Sequence, residues 1–252
     1  MRLPRSIFPR LMATGPKRTL FRRIRRLVVI ATLAVIVGPF LLVLPLNLVQ
    51  PFTTSVMLWR TAQRVSQGKR PVYPRRDIVS HDDISANLRR AVLASEDDRF
   101  YLHGGFDFEE IENALERAKR GRKLRGASTI TQQVAKNIFL WEGRSYVRKG
   151  LEAWFAVVLE LCLSKERILD LYLNLAEWGD GVFGAEMAAQ THFGKSAKGL
   201  TRDEAARLAA VLPSPRRWSP RGVIASRRAA GILARMRYAA PREEGVPPVK
   251  KR

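Results

Sequence analysis

LEAWFAVVLELC, at residues 151–162, is the most strongly patterned stretch of the sequence. Its apolar side chains recur at i, i+3, i+4, i+7, i+8 and i+11, the spacing that places them on one face of an α-helix. These side chains are Leu151, Trp154, Phe155, Val158, Leu159 and Cys162. Residues 84–95 and 108–118 carry shorter stripes with the same period, and no run alternates convincingly with a period of two. The sequence therefore predicts a mainly α fold with minor sheet content.

Two sequence patterns mark expected helix starts. Ser80 with Asp83, and Thr201 with Glu204, have the spacing of a capping box, in which two side chains satisfy free backbone N–H groups of the first helical turn. We expect a helix to begin at each of these positions.

Residues 27–47 form a long apolar segment near the N-terminus. No charged residue occurs between Leu27 and Trp59, and a helix of about 20 residues is about 30 Å long, the thickness of a bilayer core. Arginines at 22, 23, 25 and 26 precede the segment, so the positive-inside rule places the N-terminus in the cytoplasm. A cleaved signal peptide is the alternative, but its apolar region is shorter, roughly 7–15 residues. We predict an uncleaved single-pass anchor.

These features divide the chain into five segments. They are a basic N-terminus at 1–26, a transmembrane helix at 27–47, a proline-containing, membrane-proximal connector at 48–79, a helical domain at 80–220, and a C-terminal helix with a basic tail at 221–252.

The chain is strongly basic, with 45 Lys and Arg against 23 Asp and Glu and a net charge of +22. Residues 51–252 alone carry a net charge of +13. Such a balance fits an anionic substrate or surface and fits a cytosolic enzyme of small neutral metabolites less well. Cys162 is the sole cysteine, which excludes an intrachain disulfide and a structural zinc site built on cysteines.

The segment 128–138 is predicted to be a helix with an unusual polar face. Apolar residues at 130, 134 and 138 form one line along it. The other line offers hydroxyl and amide groups and one ammonium in place of mixed charges: Thr129, Gln132, Gln133 and Lys136. Ser128 lies at the expected N-terminus, where free backbone N–H groups favour anions. We interpret this face as an anion site, and an ordinary solvent-exposed face is the alternative.

The segment 95–105, SEDDRFYLHGG, places three adjacent acids at the end of a predicted helix. Their mutual repulsion and the helix dipole both disfavour the charged form of a carboxylate. Glu96 is therefore a candidate base.

A second cluster of charged residues begins at Arg144. Arg148 and Glu152 are spaced i, i+4, so both lie on one side of the 151–162 helix, with Lys149 beside them. Taken alone, such a pair is usually an exposed salt bridge of little energetic weight.

Five stretches, in order along residues 80–220, resemble the successive signature motifs of the peptidoglycan glycosyltransferases, glycosyltransferase family 51. They are Glu96-Asp97-x-x-Phe100-x-x-His103-x-Gly105; Gly126-Ala127-Ser128-Thr129-Ile130-Thr131-Gln132-Gln133-x-x-Lys136-Asn137; Arg148-Lys149-x-x-Glu152; Lys165-x-x-Ile168-Leu169-Asp170-x-Tyr172-Leu173-Asn174 with Phe193-Gly194-Lys195; and Leu208-Ala209-Ala210-Val211-Leu212-Pro213-x-Pro215. His192 and Trp218 depart from the pattern, since many members have tyrosine there.

The resemblance implies a lysozyme-like helical glycosyltransferase domain behind one N-terminal transmembrane helix. Family members polymerise lipid II outside the cytoplasmic membrane by inverting β-1,4 glycosyl transfer and release undecaprenyl diphosphate. The chain matches the monofunctional branch, which has no transpeptidase activity, and it contains no Lys-Thr-Gly motif.

The resemblance also assigns roles to residues. Glu96 matches the general base, and the like charge of Asp97 is expected to raise its pKa. Glu152 matches the second essential carboxylate, which would orient cations or a divalent ion. The residues implied in binding substrate and its diphosphate are Ser128, Thr129, Gln132, Gln133, Lys136, Asn137, Arg144 and Arg148. Those implied in support are Asp97, Phe100, His103 and Gly105, and His103 is expected to hold the loop that follows Glu96.

No cofactor is required by the resemblance, and no metal site is firmly implied, although a divalent cation, Mg²⁺ or Mn²⁺, could bind near Glu152. The implied partners are lipid II, the growing glycan strand, the bacterial cytoplasmic membrane and cell-division or wall-synthesis proteins. Nucleic acid is not among them.

Two other classes of protein fit parts of the sequence. A lysozyme-like hydrolase would also use Glu96 but would need only a polar sugar cleft. A membrane-tethered nucleic-acid-binding protein would exploit the basic charge, yet the aromatic residues are not interleaved as stacking platforms. The cationic cluster and the anchor favour the transferase.

Overall fold

The computed structural model describes residues 16–68, 77–121, 128–143 and 145–238, and these form ten α-helices and one two-stranded antiparallel sheet. The helices are α1 Pro16–Val43, α2 Ser55–Ser66, α3 Ala86–Glu96, α4 Phe108–Lys119, α5 Ile130–Phe139, α6 Tyr146–Cys162, α7 Lys165–Leu175, α8 Ala185–Phe193, α9 Arg202–Val211 and α10 Val223–Arg235. The strands are β1 Glu177–Gly179 and β2 Val182–Phe183. The prediction of a mainly α fold is confirmed, and the 151–162 stripe lies on α6.

Residues up to Leu42 form a compact unit of their own, which in the described residues is helix α1. The consecutive apolar residues 27–30 are all exposed, so the apolar surface extends around the whole helix. By length and composition, the segment Leu20–Asn47 can cross a membrane, with a mean hydropathy of 2.9. The described part of the basic N-terminal segment continues on the same helix. Residues 1–15 lie outside the described part of the chain.

The second unit begins at Val43, and its first turn packs into the helical domain. Leu46 lies in a short 3₁₀ turn and is buried. Its carbonyl accepts a hydrogen bond of 2.6 Å from Arg167 Nε on α7, and Asn47 Nδ2 donates one of 3.0 Å to the Cys162 carbonyl. The last residues of the predicted transmembrane segment are thus tethered to the helical domain.

This tether predicts different stabilities for two truncated proteins. One that begins at residue 43 keeps Leu46 and its bond from Arg167, whereas one that begins at residue 50 loses both. Since burial of a leucine side chain stabilises a fold by ~1.5–3 kcal/mol, we expect the shorter protein to unfold several degrees lower. Thermal denaturation of both proteins measures the difference, and equal melting temperatures would contradict the tether.

Two groups of helices form the core of the second unit. Helix α9 packs against α3 and α10, and α5 packs against α6 and α7. Four alanines of α9 are fully buried, at 205, 206, 209 and 210, and such small side chains allow neighbouring helices to approach closely. Trp178 and Tyr172 are the largest fully buried side chains among the described residues.

The helix starts agree with the sequence at one position and differ at another. Thr201 and Glu204 form the predicted capping box at the start of α9. The prediction at Ser80 is wrong, because α3 begins six residues later, where Ser85 Oγ accepts from the Asn87 N–H at 3.2 Å. Ser80 Oγ instead donates to Asp83 Oδ2 at 2.7 Å beside a 3₁₀ turn.

Candidate active site

A cleft in the second unit consists of two adjoining cavities of about 540 and 530 Å³. The first contains Lys136 and Asn137 in its wall, and we call it the Lys136 cavity. The second contains Glu96 and Ser128, and we call it the Glu96 cavity. The residues that line both are Gln133, Pro213, Ser214 and Arg217.

Glu96 is the last residue of α3, and its side chain is fixed by a chain of hydrogen bonds. Gln133 Nε2 on α5 donates to Glu96 Oε2 at 3.0 Å. The Tyr172 hydroxyl on α7 donates to Gln133 Oε1 at 3.2 Å. Because the buried tyrosine occupies the amide oxygen, the amide N–H₂ of Gln133 faces the carboxylate.

The environment of Glu96 raises the pKa of its carboxyl above the ordinary value for glutamate. Burial is the largest cause, because it disfavours the charged form. The charge of Asp97 also raises the pKa, while the Gln133 hydrogen bond and the charges of Arg228 and Lys136 lower it. The like charge expected from the sequence is therefore present, but it is secondary to burial.

The loop that follows Glu96 is bound to the N-terminus of α5. Asp97 Oδ2 accepts from the Ile130 N–H at 3.0 Å, and Asp97 Oδ1 lies 2.9 Å from His103 Nε2. Thr129 Oγ1 donates to the Gly105 carbonyl at 2.7 Å. These contacts join both ends of the loop to α5 and so fix the position of Glu96, which directly precedes the loop.

Two residues of this loop are constrained by packing. Gly105 has a φ of +89°, and a Cβ added there would lie 3.1 Å from Glu160 Cγ, so only glycine fits without strain. Phe100 is 1% exposed, and Lys165 Nζ lies 4.3 Å from its ring centroid. This arrangement is a cation–π contact that ties the loop to α7.

The polar face of α5 divides into two parts. Thr129 and Gln132 are buried and form a capping box with each other, so their polar groups serve the start of the helix. Gln133, Lys136 and Asn137 line the cleft instead. Two side chains of the line that the sequence presents, Gln133 and Lys136, therefore lie in the cleft, and Asn137 lies beside them.

Lys136 makes no hydrogen bond or ion pair with any described residue. Burial lowers the pKa of its ammonium, and the charges of Glu152 and Glu142 act in the opposite direction. A half-buried cation that has no partner among the described residues and lies in the wall of a cavity is open to an incoming anion. The Lys136 cavity is therefore suited to an anionic group.

Glu152 is 4% exposed and is enclosed by cations of its own helix. Arg148 Nη1 lies 2.5 Å from Glu152 Oε2, and Lys149 Nζ contacts Oε1. Arg148 Nε also donates to the Gly143 carbonyl at 2.8 Å, and Lys149 Nζ lies 3.5 Å from Ser128 Oγ. The pair that resembled an exposed salt bridge is thus largely buried. Arg144 lies outside the described residues.

The surroundings of Glu152 do not fit a divalent ion. Both oxygens of its carboxylate already contact cationic donors, Arg148 and Lys149, which would repel a metal. The described residues bring three candidate ligand atoms within 4.8 Å of one another at a different place, beside the α5 N-terminus. These residues are Asp97, His103 and Asp107.

Several residues that line the cleft were not predicted as site residues from the sequence. Trp218 lines the Glu96 cavity, and the Arg228 guanidinium lies 5.2 Å from its ring centroid. Arg217 follows the Pro-x-Pro motif, where a basic pair beside a tryptophan was the available signal. Arg60 and Glu142 line the Lys136 cavity, and no pattern in the sequence marked either of them.

Comparison with known proteins gives consistent matches over this region. A family model described as transglycosylase matches residues 63–237. The biosynthetic peptidoglycan transglycosylase of Pseudomonas putida strain KT2440 is 51% identical over 212 residues, which are 83% of this chain and 88% of that protein. The protein of the same name from Xanthomonas axonopodis pv. citri is 48% identical over 227 residues, 89% of this chain and 92% of its own. Apart from Val56 and Arg60, every residue lining the cleft lies within the family match.

Proposed function

The chain belongs to the transglycosylase family and is a peptidoglycan glycosyltransferase of cell-wall biosynthesis, and we propose that it polymerises lipid II into linear glycan strands with release of undecaprenyl diphosphate. One observation carries the proposal. Glu96, whose pKa burial raises, and Lys136, whose ammonium has no partner among the described residues, line one cleft, and Gln133 lines both of its cavities. Glycosyl transfer from a diphosphate needs a base for the attacking hydroxyl and a cation for the leaving group.

Glu96 is the proposed general base. As the 4-hydroxyl oxygen of the acceptor attacks the anomeric carbon, its proton passes to the Glu96 carboxylate, which becomes neutral. A raised pKa makes the carboxylate a better proton acceptor. Gln133 and Tyr172 would keep the oxygen pointed in one direction during this transfer.

Lys136 and Arg148 are the proposed partners of the diphosphate, together with Arg144. The bond from the anomeric carbon to phosphate oxygen breaks, and its electron pair stays with the undecaprenyl diphosphate. Fixed cations stabilise this growing charge, so no acid need protonate the leaving group. Attack from the face opposite the phosphate inverts the anomeric centre from α to β. Glu152 would hold the Arg148 fork in place.

The apolar helix α1 is the proposed single-pass anchor in the cytoplasmic membrane. The arginines at 22–26 favour a cytoplasmic N-terminus, which puts the cleft on the outer side where lipid II is presented. A reporter that is active only outside the cytoplasm should be active when it is fused to the C-terminus. An inactive reporter would indicate the opposite orientation. We also propose that the enzyme acts without transpeptidase activity.

Strand synthesis itself is the direct test. The purified full-length protein, incubated with lipid II, should give glycan strands that lysozyme digests to disaccharide units. A product of released single disaccharides without strands would favour the lysozyme-like hydrolase. Unchanged lipid II would contradict the proposal.

The hydrogen bond from Gln133 predicts a shifted pH profile. This bond favours ionised Glu96 and lowers its pKa, so Gln133→Ala should raise that pKa further. Because a base works only when deprotonated, kcat/KM should then begin to fall at a higher pH as the solution is acidified. The measurement is kcat/KM against pH for both enzymes. Asn137→Ala is the control, since any loss it causes should be equal at all pH values.

A further inference from the structure

Lys136 is influenced by two carboxylates but pairs with neither. Glu152 and Glu142 are the acidic residues whose charges act most on its ammonium. Among the described residues, no carboxylate oxygen lies within 4.0 Å of Lys136 Nζ. A cation in the wall of a cavity attracts any carboxylate that can reach it. We therefore ask what holds these two carboxylates in place.

Each of the two carboxylates is held by other cations. Glu152 contacts Arg148 and Lys149 on α6. Glu142 lies in the segment between α5 and α6, and its Oε1 accepts a hydrogen bond of 2.5 Å from Arg60 Nη2. Among the described residues, no other side chain forms a hydrogen bond or ion pair with the Glu142 carboxylate, so its direction depends on Arg60.

Arg60 is itself well fixed. It lies on α2, which packs against α5, and its side chain is only 12% exposed. Its Nε lies 3.3 Å from Glu177 Oε2, and its Nη1 donates to Gln63 Oε1 at 3.1 Å. Glu177 is held in turn by the Gly181 N–H at 3.2 Å. The two Nη atoms of Arg60 are thus hydrogen-bonded and its Nε lies at ion-pair distance from Glu177, so the guanidinium is held from three sides.

We propose that Arg60 is a positioning residue for the glycosyl transfer, which holds the Glu142 carboxylate away from Lys136 so that the ammonium stays free for the diphosphate. The inference rests on the proposed role of Lys136. Arg60 lies in the predicted connector and before residue 63, where the family match begins. The inference therefore gives α2 a role in the reaction, although α2 lies outside the motifs of residues 80–220.

The mechanism is competition between two anions for one cation. Without Arg60, the Glu142 carboxylate remains in the wall of the same cavity as Lys136. An ion pair between them would have to break before the diphosphate could bind, so both substrate affinity and turnover would fall. Removal of the Glu142 charge should abolish the competition even when Arg60 is absent.

A double-mutant cycle tests this directly in the full-length enzyme. Arg60→Gln should lower kcat/KM for lipid II by about tenfold, within the range seen for coupled neighbours. Glu142→Gln removes the competing carboxylate, so the double variant should recover to within about threefold of the wild type. Binding of farnesyl diphosphate, measured by calorimetry, should weaken in Arg60→Gln and recover in the double variant.

Arg64→Gln is the matched control. Arg64 lies one turn further along α2, pairs with Asp180 at 2.9 Å and does not line the cleft. Its replacement should leave kcat/KM and farnesyl diphosphate binding unchanged. A comparable loss in this variant would mean that α2 simply loses stability, which would overturn the inference.

The recovery decides the outcome. If the double variant is as impaired as Arg60→Gln, then Arg60 touches substrate or only supports the fold, and the inference is wrong. A failure of the proposed role of Lys136 looks different, because Lys136→Met would then polymerise lipid II normally. A failure of the proposed function would leave lipid II unchanged even with the wild-type enzyme. If Lys136→Met is inactive and the double variant does not recover, only the role of Arg60 is overturned.

Discussion

Replacement of Glu96 by glutamine should lower strand synthesis by roughly 10²–10⁴-fold, the usual contribution of a general base. The amide keeps the shape of the side chain and one oxygen that can accept from Gln133 Nε2, 3.0 Å away in the wild type. It cannot take up the proton of the acceptor hydroxyl. The measurement is the initial rate of polymerisation of lipid II by the full-length enzyme.

The same substitution should not destabilise the protein. The raised pKa of Glu96 means that the fold disfavours the charged carboxylate. At neutral pH a neutral amide therefore fits the site equally well or better, and the melting temperature should stay constant or rise. A loss of rate together with a constant or higher melting temperature separates a chemical role from a structural one.

Glu112→Gln is the matched control for this prediction. Glu112 is an exposed carboxylate on α4 and lines none of the cleft. Its replacement should change neither rate nor stability. If Glu96→Gln polymerises at the rate of this control, Glu96 is not the base, and the cleft must supply another proton acceptor.

The second large effect concerns the cations. Lys136→Met should lower kcat by roughly 10²–10³-fold, the size observed when one group that stabilises a developing anion is removed. Because Lys136 has no described partner and burial lowers the pKa of its ammonium, loss of the charge should leave stability unchanged or increase it. Rate measurements at saturating lipid II and thermal denaturation check the two halves of this prediction.

Arg148→Lys should also reduce turnover strongly, although it keeps the charge. The arginine contacts Glu152 and the Gly143 carbonyl at once and still has N–H groups to offer to phosphate. Lysine has no planar fork with which to make these contacts together. Because Glu152 keeps Lys149 as a partner, the buried carboxylate stays paired and the fold should survive.

Arg207→Lys provides the comparison for Arg148. Arg207 and Asp203 form a pair with the same i, i+4 spacing on α9, at 2.6 Å, but their side chains are more exposed. The effect of Arg207→Lys on turnover should be negligible. An Arg148→Lys enzyme with equally normal turnover would leave Arg148 as an ordinary partner of Glu152.

Local features of the fold were well predicted by the sequence. The chain has the lysozyme-like helical fold of the transglycosylase family, which the ordered motifs implied. Locally, the stripe at 151–162 became α6, and the Thr201–Glu204 box caps α9. Each of these depends on residues a few positions apart, whose relative placement the helix geometry dictates. The failed box at Ser80 shows the limit, since Ser85 offers a second cap within the same few residues.

The states of the site residues depended on packing between distant segments. The pKa of Glu96 is raised chiefly by burial, which its neighbours in sequence do not reveal. Thr129 donates a hydrogen bond to the Gly105 carbonyl, 24 positions away, and so supports the loop that follows Glu96. The Arg148–Glu152 pair is buried for the same reason, because the rest of the domain covers it.

The sequence by itself determined the helical class, the apolar N-terminal helix and the family, because periodicity, hydropathy and ordered motifs are properties of the chain alone. Only the tertiary structure decided which charges are neutralised and which remain free. Arg60 pairs with Glu142, 82 positions away, while Lys136 is left without a partner among the described residues. Charges act through space over a few ångströms and weaken where water enters, so their pairing follows from which helices pack together.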